Sequence, residues 1–378
     1  MARIRRVNET PTVLHFVGAG LDVGGVLSYV RSLAQFNSAR NILLVSDGFV
    51  QKRRPFLKLF PIAKGDYQTL FSPVAVWQSL RHIFWLRRKL ARRPHMIFHG
   101  HSRGGVLIGV VLVLLGYRNV VVTIHHNGSQ RWFYRLAHKL LKGRMIFICP
   151  AMKRYYKLPV NNWRDCIPGS VSPTLKRNRP QTAGPFGPRS DKPLILGGCG
   201  LIVEWKRWEI VLEALGLLAP ELRERVRFIH VGDPLDEAIS IQYGKRLKSL
   251  VKRHGLEKTV EWRGHQNDLN IFFDEINLLV HPAQNEPFGL SVVESLFSGT
   301  PVIAADTVGA ADLFTADSNG LTFPENDARA LASLFDQILR GELPMPRVDR
   351  QSLRPLHPDY LGARWAEVYA RLSEEPTA

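Results

Sequence analysis

The sequence predicts an α/β protein of two doubly wound, Rossmann-like domains facing a central cleft. Three observations lead there. Short apolar strands alternate with helical patterns along the chain, which means parallel sheets covered on both faces. That alternation is interrupted at residues 180–193, PQTAGPFGPRSDKP, a Pro- and Gly-rich stretch of linker composition. Charge changes sign at the same place. Residues 1–180 hold 30 Lys and Arg against 5 Asp and Glu, a balance of +25, and residues 181–378 balance at −7 within a total of +18. A length of 378 residues suits two domains. The expected boundaries are 1–185, 186–350, and a last segment, 351–378, whose helix packs back on the first domain.

Taken in order, Val13–Val17 reads as a buried strand closed by Gly18 and Gly20, and Gly24-Gly25 opens an apolar-periodic helix to Phe36. Strands follow at Ile42–Val45, Met96–Phe98, Val120–Ile124 and Met145–Cys149. Helical patterns lie between them at Val76–Leu90, Gly105–Leu115 and Trp132–Leu141. The series restarts with a strand at Leu194–Leu196, a helix at Glu209–Leu218 and a strand at Val226–Val231. A basic helix, Ile239–His254, precedes strands at Val260–Trp262, Leu278–Val280 and Val302–Ala304. Helices at Ala328–Leu339 and Leu361–Leu372 end the chain, the last with Trp365, Val368 and Tyr369 on one face. Folds of this kind take ligands beyond the carboxyl ends of the strands, which for two domains means the cleft between them.

Composition removes several classes. A chain that is 45% hydrophobic is neither disordered nor fibrous. Cys149, Cys166 and Cys199 are far apart with no CxxC, so neither a disulfide framework nor a structural zinc site is expected, and a reducing compartment fits. The strongest apolar run, Val106–Leu115, spans about 15 Å as a helix, half of a bilayer core, and reads as buried helix. Membrane contact is therefore expected to be peripheral.

The densest chemical signal is NEPFGLSVVE, Asn285–Glu294. Pro287 suits a first helical turn, which puts Glu286 just before a helix N-terminus and Glu294 about two turns inside it. The N–H groups of Phe288, Gly289 and Leu290 would then form an anion site for a phosphate or diphosphate. The plainer alternative makes Glu286 an ordinary N-terminal carboxylate and Glu294 a solvated helix residue. Phe98-His99-Gly100-His101 and Thr123-Ile124-His125-His126 put histidines at two strand ends. A metal site there is not expected, because no carboxylate completes a facial set.

EPFGLSVVESLFSGTPVIAAD, with Gly200…Lys206, Ile229-His230-Val231-Gly232, Val260-Glu261-Trp262-Arg263-Gly264 and Asn319-Gly320-Leu321, resembles the donor-binding half of glycosyltransferase family 4. Those are retaining, nucleotide-sugar-dependent transferases of the GT-B fold. The likeness covers residues 194–330 and continues more loosely over 12–150. It implies that Glu286 contacts the donor sugar and stabilises the transition state, with His101 and Lys206 as further catalytic groups, Lys206 on the diphosphate. It also implies donor binding by Gly24, Gly25, Arg207, Phe288, Gly289, Leu290, Glu294 (the ribose ligand) and His125. Two positions depart from the family pattern: Leu201 stands where an Arg is usual, and Arg207 where a Gly is usual.

The activity so implied moves a hexose from a nucleoside-diphosphate sugar to a glycan or lipid-linked acceptor, in cell-envelope polysaccharide or lipopolysaccharide biosynthesis, with no cofactor and no metal. The alternative is a non-catalytic glycan-binding or assembly subunit of the same fold at the membrane. The basic half needs its own partner. Trp77–Arg93, Lys52-Arg53-Arg54 and Arg131-Trp132-Phe133-Tyr134-Arg135 mix aromatic and basic residues as a surface for anionic lipid headgroups would. The other readings of that charge are a solvated face over core and, without any recognised motif for it, nucleic-acid binding. The expected location is cytoplasmic, on the inner face of the membrane.

Overall fold

The computed structural model describes residues 10–20, 24–51, 58–68, 72–93, 95–160, 166–169, 171, 175, 193–316 and 318–374. The chain divides into two compact units, Met1–Ser170 with Pro355–Ala378, and Val171–Arg354. The division falls at 170/171 rather than 185/186. The predicted linker, apart from Pro193, and the basic segments Met1–Val7 and Lys52–Arg54 lie outside the described residues.

The first unit runs β1 (Thr12–Phe16), α1 (Gly25–Phe36), β2 (Arg40–Ser46), β3 (Lys58–Ile62), α2 (Pro73–Leu80), α3 (Ile83–Arg92), β4 (Met96–Gly100), α4 (Arg103–Leu114), β5 (Val120–Ile124), α5 (Arg131–Leu141), β6 (Met145–Phe147) and α6 (Pro150–Tyr155). Its parallel sheet has the order β3-β2-β1-β4-β5-β6. The strands read as apolar runs because both faces are covered; β4 and β5 are buried throughout. Phe16, Phe98, Leu86, Leu90, Ile108 and Leu112 form part of the core. Val106–Leu114 is helical, with Val106, Ile108, Gly109, Val110 and Leu112 buried but Leu114 exposed at its end, and among the described residues no helix is long and apolar enough to cross a membrane.

Two expectations about this unit change. The single helix over Val76–Leu90 is two, broken at Arg81 and His82. The Arg81 guanidinium donates to the carbonyls of Ala63 (3.0 Å) and Lys64 (2.7 Å), which ties the bend to the preceding loop. Strand β3 was not foreseen; it is a sheet-edge strand containing Pro61, which edges tolerate.

The second unit runs β7 (Leu194–Cys199), α7 (Trp208–Leu217), α8 (Pro220–Arg223), β8 (Val226–Val231), α9 (Ala238–Arg253), β9 (Val260–Trp262), α10 (Asn270–Glu275), β10 (Leu278–His281), α11 (Leu290–Ser298), β11 (Val302–Ala305), β12 (Gly320–Phe323) and α12 (Ala328–Arg340). Its parallel sheet has the order β12-β11-β10-β7-β8-β9. Asn319-Gly320-Leu321 leads into β12, which pairs with β11.

The last helix, α13 (Pro358–Glu374), belongs to the first unit and packs along α1. Trp365 and Tyr369 are buried on its inner face. The contact depends on Gly362, where a Cβ would overlap the Phe36 carbonyl oxygen. Arg364 donates to the Cys166 carbonyl at 2.6 Å.

In each sheet the strand order reverses once, between β1 and β4 and between β7 and β10. Loops leaving the carboxyl ends of those strands are where doubly wound sheets bind ligands.

Candidate active site

In the second unit the loops after β7 and β10 meet. The β7 loop passes through Gly200 and Leu201 into a short 3-10 turn, Glu204–Lys206. Buried Trp208 anchors it, its indole donating to the Leu201 carbonyl at 2.9 Å. The β10 loop is joined to this turn by the Gln284 N–H, which donates to the Trp205 carbonyl at 2.8 Å. That bond sets Glu286 beside Lys206, with Nζ 2.6 Å from Oε2.

The pair is mostly enclosed, the side chains being 15% and 18% exposed. Burial alone would raise the Glu286 pKa. The ammonium of Lys206 outweighs it and holds the carboxyl well below the usual carboxylate range. Glu286 is therefore an anion at neutral pH. His281 is fully buried; its Nδ1 lies 3.2 Å from the Ser291 hydroxyl and its Nε2 3.9 Å from Glu286, too far for a hydrogen bond. Burial and the Lys206 charge lower its pKa, so it is neutral.

Helix α11 begins at Leu290, three residues after Pro287, so Pro287 lies before the helix rather than in its first turn and Glu294 is one turn inside it rather than two. Its N-cap is Gly289 at φ +88, a conformation that disfavours any residue with a Cβ. Phe288 is buried, and its carbonyl accepts from the Ala310 N–H at 2.7 Å, while the Glu286 carbonyl accepts from Gly309 at 3.0 Å. These bonds fix the loop. The Gly289 and Leu290 N–H groups have no acceptor among the described residues. Glu294 lies one turn further along, half-buried and without a salt-bridge partner among those residues; burial pushes its carboxyl up to about 7. Arg207 faces elsewhere, donating to Asn326 at 2.8 Å and pairing with Glu209 at 2.8 Å. Leu201 exposes its side chain.

In the first unit, Gly24 caps α1 at φ +95 and Gly25 begins the helix, both exposed. His101 follows β4 and His125 follows β5. His101 is only 2% exposed, and both its ring nitrogens are engaged, Nε2 with His15 and Nδ1 with His125, each at 3.0 Å. His15, His99 and His101 lie close enough to suggest a metal site. Their six ring nitrogens are already hydrogen-bonded, to Asn41, Thr123, Tyr369, His125 and one another. His99 and His101 also lie face to face at a tilt of 32°, with ring centroids 3.9 Å apart.

Sequence reasoning missed His281, Ser291, His15 and Asn41. His15 carried a signal, a lone polar residue inside the apolar strand VLHFV. His281 carried one too, a histidine closing β10 just before NEPFG.

Residues 185–352, under half of the chain, match the family model described as "Glycosyl transferases group 1". A sucrose synthase of Nitrosomonas europaea is 26% identical over 204 residues, 48% of this chain and 25% of that protein. A lipopolysaccharide core biosynthesis mannosyltransferase, LpcC, of Rhizobium leguminosarum is 31% identical over 91 residues, 24% of this chain and 26% of that protein. The chain thus spans about a quarter of the length of these curated relatives. Among solved structures, Anabaena Alr3699/HepE in complex with UDP and glucose superposes with a TM-score of 0.67 at 17% identity, covering 95% of this chain and 99% of that one. The fold class is GT-B. Fold and family likeness together support a glycosyltransferase.

Proposed function

We propose that the protein is a retaining, family 4-type glycosyltransferase. It would move a hexose from a nucleoside-diphosphate sugar to a hydroxyl of a glycan or lipid-linked acceptor in cell-envelope polysaccharide or lipopolysaccharide synthesis. The observation that carries this reading is the Lys206–Glu286 pair at 2.6 Å in front of the first turn of α11. The lipopolysaccharide mannosyltransferase relative and the UDP- and glucose-bound neighbour support the substrate classes.

The chemistry follows from where charge develops. As the bond from sugar to diphosphate breaks, the leaving group gains negative charge and the sugar ring gains positive charge. Lys206 keeps two ammonium protons after its bond to Glu286 and, with the Gly289 and Leu290 N–H groups, offers fixed positive electrostatics to the diphosphate. Glu286, ionised and held in place, offers negative charge to the ring. It is no general acid, because it carries no proton at neutral pH. Glu294 offers its carboxylate to the ribose hydroxyls. No residue here requires a metal for this division of roles.

A panel of nucleoside-diphosphate sugars assayed for nucleotide release tests the proposal. One donor class should react, and Glu286→Ala should lower the rate at least 100-fold. Wild-type turnover in that variant would overturn the assignment. Leu201 and the engagement of Arg207 with Glu209 favour a second reading, a non-catalytic glycan-binding or assembly subunit. Failure of every nucleotide to raise the melting temperature would select it.

Peripheral attachment to the cytoplasmic face of an anionic membrane is part of the same proposal. Trp85, Arg88, Lys89, Arg92 and Arg93 line one concave surface, and Trp77, Phe84 and Trp132 are 64%, 75% and 65% exposed. Exposed aromatics and clustered cations on one unit suit lipid headgroups. Co-sedimentation with anionic but not neutral vesicles is expected. Equal binding to both, or preference for nucleic acid, would refute it.

A further inference from the structure

A single line of hydrogen bonds crosses the first unit from its backbone to a partly exposed histidine, and its direction can be read. It begins at Asn37. The Asn37 Oδ1 accepts from the Ala39 N–H at 2.8 Å, and its amide nitrogen donates to the Leu33 carbonyl at 2.5 Å. Both partners are backbone groups with one possible role, so the orientation of this amide is determined.

Asn41 follows. Its Nδ2 donates to the Ala39 carbonyl at 2.7 Å and to Asn37 Oδ1 at 3.1 Å. Its Oδ1 is therefore the atom facing His15 Nε2, at 2.8 Å. An amide oxygen only accepts, so His15 carries its proton on Nε2 and a lone pair on Nδ1. His15 Nδ1 is 3.0 Å from His101 Nε2, which must then be the protonated nitrogen of His101. The same step repeats: His101 Nδ1 accepts at 3.0 Å from His125 Nε2. His125 is left with a lone pair on Nδ1. Burial keeps His15, His101 and His125 neutral, their pKa values lowered to about 4 for His15 and about 3 for His125, so each ring holds one proton to place.

The end of the line is also held in position. His125 follows β5 and is only partly buried. Tyr29 packs edge-on against its ring with centroids 4.7 Å apart, and the Tyr29 hydroxyl is fixed by donating to the Ile167 carbonyl at 3.0 Å and accepting from Trp365 at 3.1 Å. Adjacent His126 has the opposite arrangement. Its Nε2 accepts from Arg103 at 3.0 Å and lies 2.7 Å from the Tyr134 hydroxyl, which leaves the proton on Nδ1.

We infer that Asn41 and His15 are positioning residues that impose one tautomer on His101 and His125, so that His125 Nδ1 is a hydrogen-bond acceptor for a sugar hydroxyl. His101, enclosed and engaged at both nitrogens, transmits this order and does not touch the substrate. The reverse arrangement, with every proton shifted to the other nitrogen, would make His125 Nδ1 a donor, suited to a phosphate or carboxylate instead. The substrate class rests on the proposed transferase reading; the tautomer does not.

Long-range proton–nitrogen correlation spectra of the full-length protein labelled with nitrogen-15 histidine, at pH 7.5, test the two separately. Signals are assigned from His125→Gln and His101→Gln. Wild type should show His125 with a pyridine-type Nδ1 and a pyrrole-type Nε2. Asn41→Leu, and independently His15→Phe, should collapse that pattern to an average or invert it. A pyrrole-type Nδ1 in wild-type His125 would overturn the inference even if neither variant folds, as would an unchanged pattern in both folded variants. Addition of a reacting sugar donor or acceptor should shift the Nδ1 signal upfield, and no shift with a ligand that demonstrably binds would remove the hydroxyl contact. Absence of any transferase activity would leave the tautomer result standing and refute only the functional reading.

Discussion

Lys206 Nζ stands 2.6 Å from Glu286 Oε2 across eighty residues of sequence, joining the loops that leave the two central strands of one sheet. Such a pair resists separation of its members. Removing one partner of an enclosed ion pair leaves the other charge uncompensated, typically at a cost of about 3–5 kcal/mol. Lys206→Ala is thus expected to lower both stability and nucleotide release, the latter about 100-fold or more. The Glu286 pKa should then rise, because burial is no longer opposed by the ammonium. Urea unfolding and single-turnover release measure the two effects. Loss of stability with unchanged release would assign the pair a purely structural role.

Glu294 works in the opposite direction. Its folded pKa of about 7 lies above the ordinary value, so the folded protein holds the proton more tightly than the unfolded chain. Its contribution is fully present below about pH 4 and disappears as pH rises through 7. Glu294→Gln should therefore raise the melting temperature at pH 8 relative to wild type, by the equivalent of up to about 3 kcal/mol. At pH 4 the two proteins should coincide. Melting curves across that range check it.

The histidines of the first unit predict acid sensitivity. His15 and His125 have folded pKa values of about 4 and about 3, below the unfolded value, so unfolding takes up protons between there and about pH 6.5. The stability they contribute is present above pH 6.5 and is lost as pH falls. Unfolding free energy should drop between pH 7 and pH 4.5 by roughly 3 kcal/mol per histidine at most. His15→Gln should flatten that slope.

Gly362 gives a packing test. Gly362→Val would force α13 away from Phe36, uncovering Trp365 and Tyr369. Destabilisation of more than about 3 kcal/mol is expected. Early proteolytic cleavage around residues 355–360 should accompany it. Resistance equal to wild type would show that the helix tolerates displacement.

The legible part of this protein was what local pattern encodes. The strand at Val226–Val231 and the helix at Ala328–Arg340 follow from apolar spacing and punctuation, to within a residue. NEPFGLSVVE marked α11 but not its first residue, because Pro287 reads as a first helical turn whereas the left-handed Gly289 delays the helix to Leu290. What stayed hidden depends on neighbours distant in sequence. The bend at Arg81 comes from carbonyls of the 63–64 loop. His15 looks like an ordinary core histidine until β2 sets Asn41 against one nitrogen and the end of β4 brings His101 to the other. Arg207, expected among the donor-binding groups, is held from far along the chain by Asn326.

Helix α13 has a consequence for how the chain is made. Residues 171–354 are interposed between Ser170 and Pro355, so the first unit is discontinuous in sequence. On a ribosome adding about 5–20 residues per second, its six strands emerge roughly 10–40 s before the segment that completes them. Through that interval His99 Nδ1 lacks the Tyr369 hydroxyl, and the groove of α1 that receives Gly362 stands open. The nascent first unit must wait, half-closed and adhesive, while a second sheet is synthesised and folds ahead of it.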